Sequence, residues 1–135
     1  MEAPLARTVE LMNRAVPDCL VTDYEPLIDG LALPDPNDRH VLAAAIVAGA
    51  QLIVTDNMKD FPAEALDPYG IEAVRPDDFV TQQFDLNPAA VLSAVQAQRA
   101  NLRNPPRTAE ELLDTLAANG LVVSVDRLRE FAEFL

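Results

Sequence analysis

A capped helix followed directly by a continuous apolar run is the feature that most constrains the fold. Asp35 precedes Pro36, and Asp38 lies three places after Asp35, which predicts an N-cap, a first-turn proline and a first-turn acid. Helical apolar spacing then continues to Gly49, which is placed to end the helix. Residues 52–54 are Leu, Ile and Val, a run typical of a strand covered on both faces. The pattern therefore predicts an α/β layer.

The segments on either side predict a second strand and a helical tail. From Pro76 onward the apolar spacing is helical throughout, and Thr108 with Glu111 predicts a capping box at the start of one tail helix. Residues 26–33 are typical of a loop or a short helical turn. The other predicted helices lie at residues 4–15, 63–68, 77–84, 88–102, 108–118 and 125–134, and the other predicted strands at residues 19–21 and 71–74.

Composition limits the function classes. At 135 residues the chain can bury one core of ordinary size, and 50% apolar with only 5% aromatic residues favours helices packed around a small sheet. Ten basic against 22 acidic residues give a formal net charge of −12. Such a charge repels a phosphate backbone unless metal ions or a local basic patch intervene, which argues against a simple nucleic-acid-binding module.

Several common sites are excluded by residue counts. Cys19 is the single cysteine, so neither an intramolecular disulfide framework nor a cysteine-rich zinc site can form, and we predict a buried, reduced thiol. His40 is the single histidine, and the four glycines are scattered, which excludes histidine-rich metal sites and glycine-rich phosphate loops. With no apolar run long enough to cross a bilayer and no secretion signal at the N-terminus, we expect a cytoplasmic protein.

The candidate chemistry lies in residues 33–62. Asp38 is in the first turn of one predicted helix, and Asp56, Asn57 and Asp60 follow the carboxyl end of a predicted parallel strand, where open α/β sheets bind their ligands. Carboxylate and amide oxygens are hard donors that would select Mg²⁺ or Mn²⁺ over zinc. Taken singly, each acid is more often a cap or turn residue, so the pattern carries more weight than its members.

The same residues resemble the second half of a PIN domain. In the run DRHVLAAAIVAGAQLIVTDNMKDFP an acid opens a helix of the form D-x-x-x-L-A-A-A, and L-I-V-T is followed by N-x-x-D-F. The resemblance covers residues 20–74, and the helical tail resembles the extension of one branch of VapC-like toxin proteins. It implies a three-layer α/β/α fold with a short parallel sheet and an acidic pocket that binds Mg²⁺ or Mn²⁺ and cleaves RNA.

The resemblance also implies site residues, position by position. Asp38 and Asp60 match the family's acids, and Asn57 matches its polar position after the strand; these three are the candidate catalytic and metal-binding residues. The candidate supporting residues are Asp35, Thr55 and Asp56, and the candidates for contacting substrate phosphates are Arg39 and Lys59.

The chain departs from the family pattern at its start. The family's first strand, which ends in an Asp of the form L-D-A-N-V, and a later helical Glu do not appear where they are expected, and Glu10 and Glu25 lie too late to replace the Glu. We therefore interpret residues 1–75 as a partial PIN domain without its first strand and residues 76–135 as a helical C-terminal extension. A fragment, a misassigned start codon and a decayed gene all fit this departure. We expect exposed apolar surface, with weak stability or self-association.

Three functions stay open. The first is a metal-dependent endoribonuclease of a toxin–antitoxin system, impaired or inactive in this chain because two of the expected acids are missing. The alternative is a non-catalytic acidic interaction module that binds an antitoxin-like polypeptide, and the third is a structural remnant. The candidate partners are accordingly RNA, an antitoxin protein and a second copy in a homodimer, with no membrane.

Overall fold

The computed structural model describes residues 3–135 of the protein, which form α-helices, short 3-10 helices and two short β-strands. The helices are α1 (Ala3–Ala15), α2 (Arg39–Ala48), α3 (Ala63–Leu66), α4 (Pro76–Leu86), α5 (Pro88–Asn101), α6 (Ala109–Ala118) and α7 (Val122–Arg129). The strands are β1 (Leu52–Val54) and β2 (Glu72–Val74). The 3-10 helices are Glu25–Gly30, Pro36–Asp38, Met58–Asp60, Asp67–Tyr69 and Ala132–Phe134. This is the predicted combination of an α/β fold with a helical extension.

The chain divides into two compact units. One unit comprises Met1–Ile53 and Lys59–Ala73, and the other comprises Val54–Met58 and Val74–Leu135. The first unit has a core of buried aliphatic residues and one phenylalanine: Leu31, Leu42, Ala43, Ala45, Ile53, Phe61, Leu66 and Ile71. The second has its own core: Phe84, Val95, Leu112, Leu113, Val125, Leu128 and Leu135.

The strands β1 and β2 form a two-stranded parallel sheet. The backbone N–H of Thr55 donates to the carbonyl of Val74 at 2.8 Å, and that of Glu72 donates to Gln51 at 3.0 Å. The strands predicted at residues 52–54 and 71–74 are therefore confirmed. The prediction that residues 52–54 are covered on both faces is wrong for Val54, whose side chain is 44% exposed, because it ends a three-residue strand.

The start and end of α2 follow from local chemistry. Asp35 Oδ1 accepts the backbone N–H of Asn37 at 2.9 Å, and the chain first turns through the 3-10 helix Pro36–Asp38. The α-helix itself begins only at Arg39. Gly49 closes it with a φ of 68° in the left-handed region, where a residue without Cβ is favoured. The predicted cap, first-turn proline and terminal glycine are thus confirmed.

The segment around α1 differs from the prediction in two respects. Residues 19–21 form no strand, and Cys19 is exposed, with its Sγ 3.3 Å from Asn13 Oδ1. The run after α1 is only three apolar residues long, and no neighbouring strand pairs with it. The apolar side chains along α1 are themselves exposed, with Leu5 at 57%, Val9 at 39% and Met12 at 58%.

The helical tail packs mainly on itself. Helix α7 contacts both α4 and α6, and α4 contacts α5. The predicted capping box is present, since Glu111 N donates to Thr108 Oγ1 at 3.1 Å and Thr108 N donates to Glu111 Oε1 at 3.0 Å. The helix predicted at residues 125–134 begins earlier, at Val122, because Asp77 of another helix caps its first turn, and it ends at Arg129. Within residues 3–135, no helix is long and apolar enough to cross a membrane.

Candidate metal centre

Three carboxylates of the first unit converge. Asp35, Asp38 and Asp60 each offer one oxygen, and the three oxygens all lie within 4.8 Å of one another. All three residues are half-buried. Two oxygens bound to one Mg²⁺ ion lie at most about 4.2 Å apart, since each bond is about 2.1 Å long. The observed spacing is therefore close to what one divalent cation requires.

Each acid is held by a different local feature. Asp35 caps the 3-10 helix Pro36–Asp38, and this leaves its second carboxylate oxygen outside the cap. Asp38 occupies the N-cap position of α2 but makes no side-chain capping hydrogen bond there. Asp60 ends the 3-10 helix Met58–Asp60, and the next residue, Phe61, is 5% exposed and anchors this turn in the core. Two helix starts and one buried aromatic residue thus bring the acids together.

One carboxylate oxygen of Asp38 lies in an environment that would suit a cation. Its Oδ2 atom is buried and has no hydrogen-bond partner among the residues that the structure describes. A carboxylate oxygen taken out of water without a donor costs free energy, about 1–3 kcal/mol or more for a charged group. A cation beside Oδ2 would offset this cost. Carboxylate oxygens are also the ligands that Mg²⁺ and Mn²⁺ favour, so the residues fit such an ion.

Three other predicted site residues lie in the segment that follows β1. Thr55 Oγ1 accepts the backbone N–H of Asn57 at 3.0 Å, and both residues are half-buried. Asp56 is exposed. These three belong to the second compact unit. Their roles stay predictions.

The basic candidates and the histidine are less constrained. Lys59 is exposed, and His40 is exposed near the start of α2. Arg39 is half-buried, and its Nε atom donates to the carbonyl of Pro36 at 3.1 Å. This bond uses the Nε–H of the guanidinium group, and the N–H groups of its two terminal nitrogens could still donate to a phosphate.

Sequence reasoning missed two arrangements in the tail. One is the contact between Asp77 and Ser124, which join α4 to α7. The other is a loop carrying Arg103 and Arg107, for which the absence of any acid between residues 86 and 109 was an available signal.

Comparisons with known proteins agree with the predicted resemblance. The model of the VapC50 C-terminal domain family matches residues 76–130. A curated protein of Mycobacterium tuberculosis (strain ATCC 25618 / H37Rv), named Putative ribonuclease VapC50, is 47% identical over 79 residues. That match covers 58% of this chain and 47% of the relative, so the chain spans about half the length of the relative it matches. No solved structure gives a significant match.

The PIN interpretation of residues 1–75 stays a prediction, since the matched family describes the tail. The resemblance to VapC-like toxin proteins is confirmed, and residues 76–130 carry it most directly as a match to the VapC50 C-terminal domain.

Proposed function

We propose that this protein is a Mg²⁺- or Mn²⁺-dependent endoribonuclease of the VapC-like toxin type. The observation that carries the proposal is the cluster of Asp35, Asp38 and Asp60, in which the buried Oδ2 of Asp38 has no hydrogen-bond partner from the described part of the chain. The name of the 47% identical relative, a ribonuclease, supports RNA as the substrate.

The three acids would hold the metal, and Asp38 is the strongest candidate ligand because, among residues 3–135, its buried Oδ2 has no hydrogen-bond donor. A divalent ion held there would supply a water of lowered pKa and would screen the charge of the phosphate. Hydrolysis adds one water molecule across the phosphodiester: a bond forms from the water oxygen to phosphorus, the bond to the leaving ribose oxygen breaks, and that oxygen takes a proton. Asp35 and Asp60 would contribute by fixing the position of the ion.

Charge is the second reason to expect a metal. Three carboxylates together carry −3, and a dication held by them would reduce this local charge to −1. Without such a change an RNA phosphate would meet a strongly repelling site on a chain whose net charge is already −12. The metal therefore also allows the substrate to approach.

The affinity and activity of this chain should be low. Mg²⁺ takes about six oxygen ligands, and three carboxylates supply only part of that set, with water and a substrate phosphate left to supply the rest. We therefore propose weak metal binding and slow cleavage, in line with the impaired activity that the sequence predicts.

The test is calorimetric titration with Mn²⁺ of the wild-type chain and of the double variant Asp38→Asn/Asp60→Asn. The matched control is Asp29→Asn/Asp67→Asn, which removes the same charge from two exposed acids of the same unit. We expect saturable binding by the wild type and the control, and none by the first variant. We expect the wild type and the control to cleave a single-stranded RNA in Mn²⁺ and the variant Asp38→Asn/Asp60→Asn not to cleave it.

Equal Mn²⁺ binding by all three proteins would refute the metal centre. Saturable binding without any RNA cleavage would leave a metal site and remove the ribonuclease proposal.

A partner-binding role is the second candidate function, and the exposed apolar side chains of α1 favour it. Leu5, Val9 and Met12 are each between 39% and 58% exposed, on a helix whose apolar residues recur at helical spacing. An antitoxin-like polypeptide would cover them. The tail offers less support, because its apolar stripes pack within its own core. A monomeric mass together with no recovered partner in a pull-down would remove this candidate.

A further inference from the structure

The chain carries one stretch that is basic although the protein as a whole is acidic. None of the 22 acidic residues lies between residues 86 and 109, whereas Arg99, Arg103 and Arg107 all lie there. Elsewhere the arginines are often neutralised, since Arg7, Arg14, Arg127 and Arg129 form ion pairs with acids. The stretch is therefore a local region of positive charge on a chain with a net charge of −12.

The backbone around this region is fixed by hydrogen bonds. Residues 101–107, which we name the arginine loop, connect the end of α5 to the start of α6. Arg103 and Pro106 form an antiparallel bridge across the loop. Arg99 Nη1 donates to the carbonyl of Arg107 at 3.2 Å, and Arg99 Nε donates to the carbonyl of Leu135 at 2.5 Å. Arg99 thus fixes the backbone of the loop through its hydrogen bond to Arg107, and two of its N–H groups are already used in hydrogen bonds within the protein.

The side chains of Arg103 and Arg107 are exposed, and in the part of the chain that the structure describes neither forms an ion pair. Glu111 lies within electrostatic range of Arg107. Its pKa is lowered first by the hydrogen bonds with Thr108 and to a smaller extent by the charge of Arg107. Within the described residues Glu111 forms no ion pair with the exposed guanidinium group of Arg107, which is therefore available to another anion.

The loop is concave and polar. A cavity of about 450 Å³ is lined by Asn101, Leu102, Arg103, Asn104, Pro105 and Arg107. This volume lies within the range of pockets that hold small organic groups, about 300–1,000 Å³. Guanidinium groups donate paired hydrogen bonds to phosphate oxygens, and asparagine amides can donate to phosphate oxygens and can both donate to and accept from base edges. The lining is therefore suited to a nucleotide unit more than to an apolar ligand.

We propose that the arginine loop binds the phosphate backbone of single-stranded RNA. The choice of RNA rests on the proposed ribonuclease function, while the choice of a phosphate-bearing ligand rests on Arg103, Arg107 and the cavity between them. An acidic chain repels a polyanion unless a local basic patch attracts it, and this loop supplies such a patch.

The experiment measures binding of a fluorescein-labelled oligouridine to the full chain by anisotropy, in EDTA so that no cleavage occurs. The variant is Arg103→Gln/Arg107→Gln. The matched control is Arg7→Gln/Arg14→Gln, which removes the same two charges from α1. Circular dichroism confirms that both variants are folded, which the exposure of all four arginines leads us to expect.

We expect the loop variant to bind about tenfold more weakly than the wild type at low salt, and the control to bind nearly as well as the wild type. Each phosphate contact on a single strand contributes about −0.7 to the slope of log affinity against log salt, so losing two contacts should reduce that slope by about 1.4. Equal affinity and slope for the two variants would overturn the proposal.

The outcome is separable from that of the proposed function. If the wild type binds RNA through the loop but cleaves none in Mn²⁺, the ribonuclease proposal fails and the loop proposal stands. If the wild type cleaves RNA while Arg103→Gln/Arg107→Gln binds it equally well, the loop proposal fails alone. A wild type that binds no RNA at low salt also overturns the loop proposal, and an acidic polypeptide would then be the ligand to test.

Discussion

The carboxylate of Asp77 accepts both the backbone N–H and the hydroxyl of Ser124, at 2.8 Å and 2.7 Å, although Ser124 lies 47 residues further along the chain. The other oxygen of Asp77 accepts the N–H of Val123 at 3.0 Å. These N–H groups belong to the first turn of α7, whose own N-cap residue, Leu121, has no side chain able to cap. Asp77 in α4 therefore provides the cap that α7 lacks.

The first prediction concerns this cap. Replacing Asp77 by Ala leaves the N–H groups of Val123 and Ser124 without their acceptor and removes one partner of the buried Ser124 hydroxyl, which keeps the carbonyl of residue 77 and the hydroxyl of Thr81. Loss of a helix cap costs about 1–2 kcal/mol, so we expect the free energy of unfolding to fall by about 2 kcal/mol. Urea unfolding followed by circular dichroism measures it. The control is Asp78→Ala, which changes the neighbouring exposed acid of the same helical turn and should cost much less.

The second prediction concerns pH. Desolvation raises the pKa of Asp77, but hydrogen bonds from the Ser124 hydroxyl, the Ser124 N–H and the Val123 N–H together outweigh it, so the pKa lies below its ordinary value of 3.8. A carboxyl whose pKa is lower in the folded state binds its proton first in the unfolded state. Its contribution to stability is thus complete above pH 3.8 and is lost as the pH falls through the folded pKa.

Comparing wild type with Asp77→Asn checks this sign. The difference in their free energies of unfolding should be larger at about pH 6 than at about pH 2.5, because protonation removes the charge that the variant lacks. A difference that stays constant over this range would show that Asp77 contributes no pH dependence.

The third prediction concerns the end of α2. Gly49 has a φ of 68°, and a Cβ added there would meet no atom within 4 Å, so substitution is opposed by backbone conformation alone. We expect Gly49→Ala to destabilise the protein by about 1 kcal/mol. Gly30 also has open space around it and lacks the left-handed φ, so Gly30→Ala should be nearly neutral. Thermal unfolding of both variants measures the difference, and equal losses would contradict the conformational argument.

The sequence predicts those features best that depend on interactions between residues close together in the chain. Asp35, Gly49 and the pair Thr108–Glu111 act on residues within four positions, and the structure confirms the two caps and the terminal glycine, although Asp35 caps a 3-10 turn and α2 itself begins at Arg39. The cap of α7 acts over 47 residues, and the start of that helix was placed three residues too late. The strand expected at residues 19–21 needed a pairing partner that a short apolar run cannot specify.

The candidate site was predictable to a similar extent. The segments that contain Asp38 and Asp60 could be found from their motif spacing, and the structure brings both acids together. The sequence predicts Asp35 mainly as a helix cap, because its position before Pro36 accounts for the residue without any contact to a metal ion. The buried state of Asp38 Oδ2 depends on how the surrounding elements pack, and no local pattern encodes it.

The last prediction separates the two roles of Asp35. Asn caps helices as well as Asp does, so Asp35→Asn should keep the hydrogen bond from Asn37 and preserve stability in EDTA, or raise it by relieving repulsion from Asp38 and Asp60. Asp35→Ala loses the cap and should cost about 1 kcal/mol in EDTA. If Asp35 is a metal ligand, Mn²⁺ should raise the unfolding temperature of the wild type and raise it much less in both variants. If Mn²⁺ stabilises Asp35→Asn as much as the wild type, Asp35 is a cap alone and the metal rests on Asp38 and Asp60.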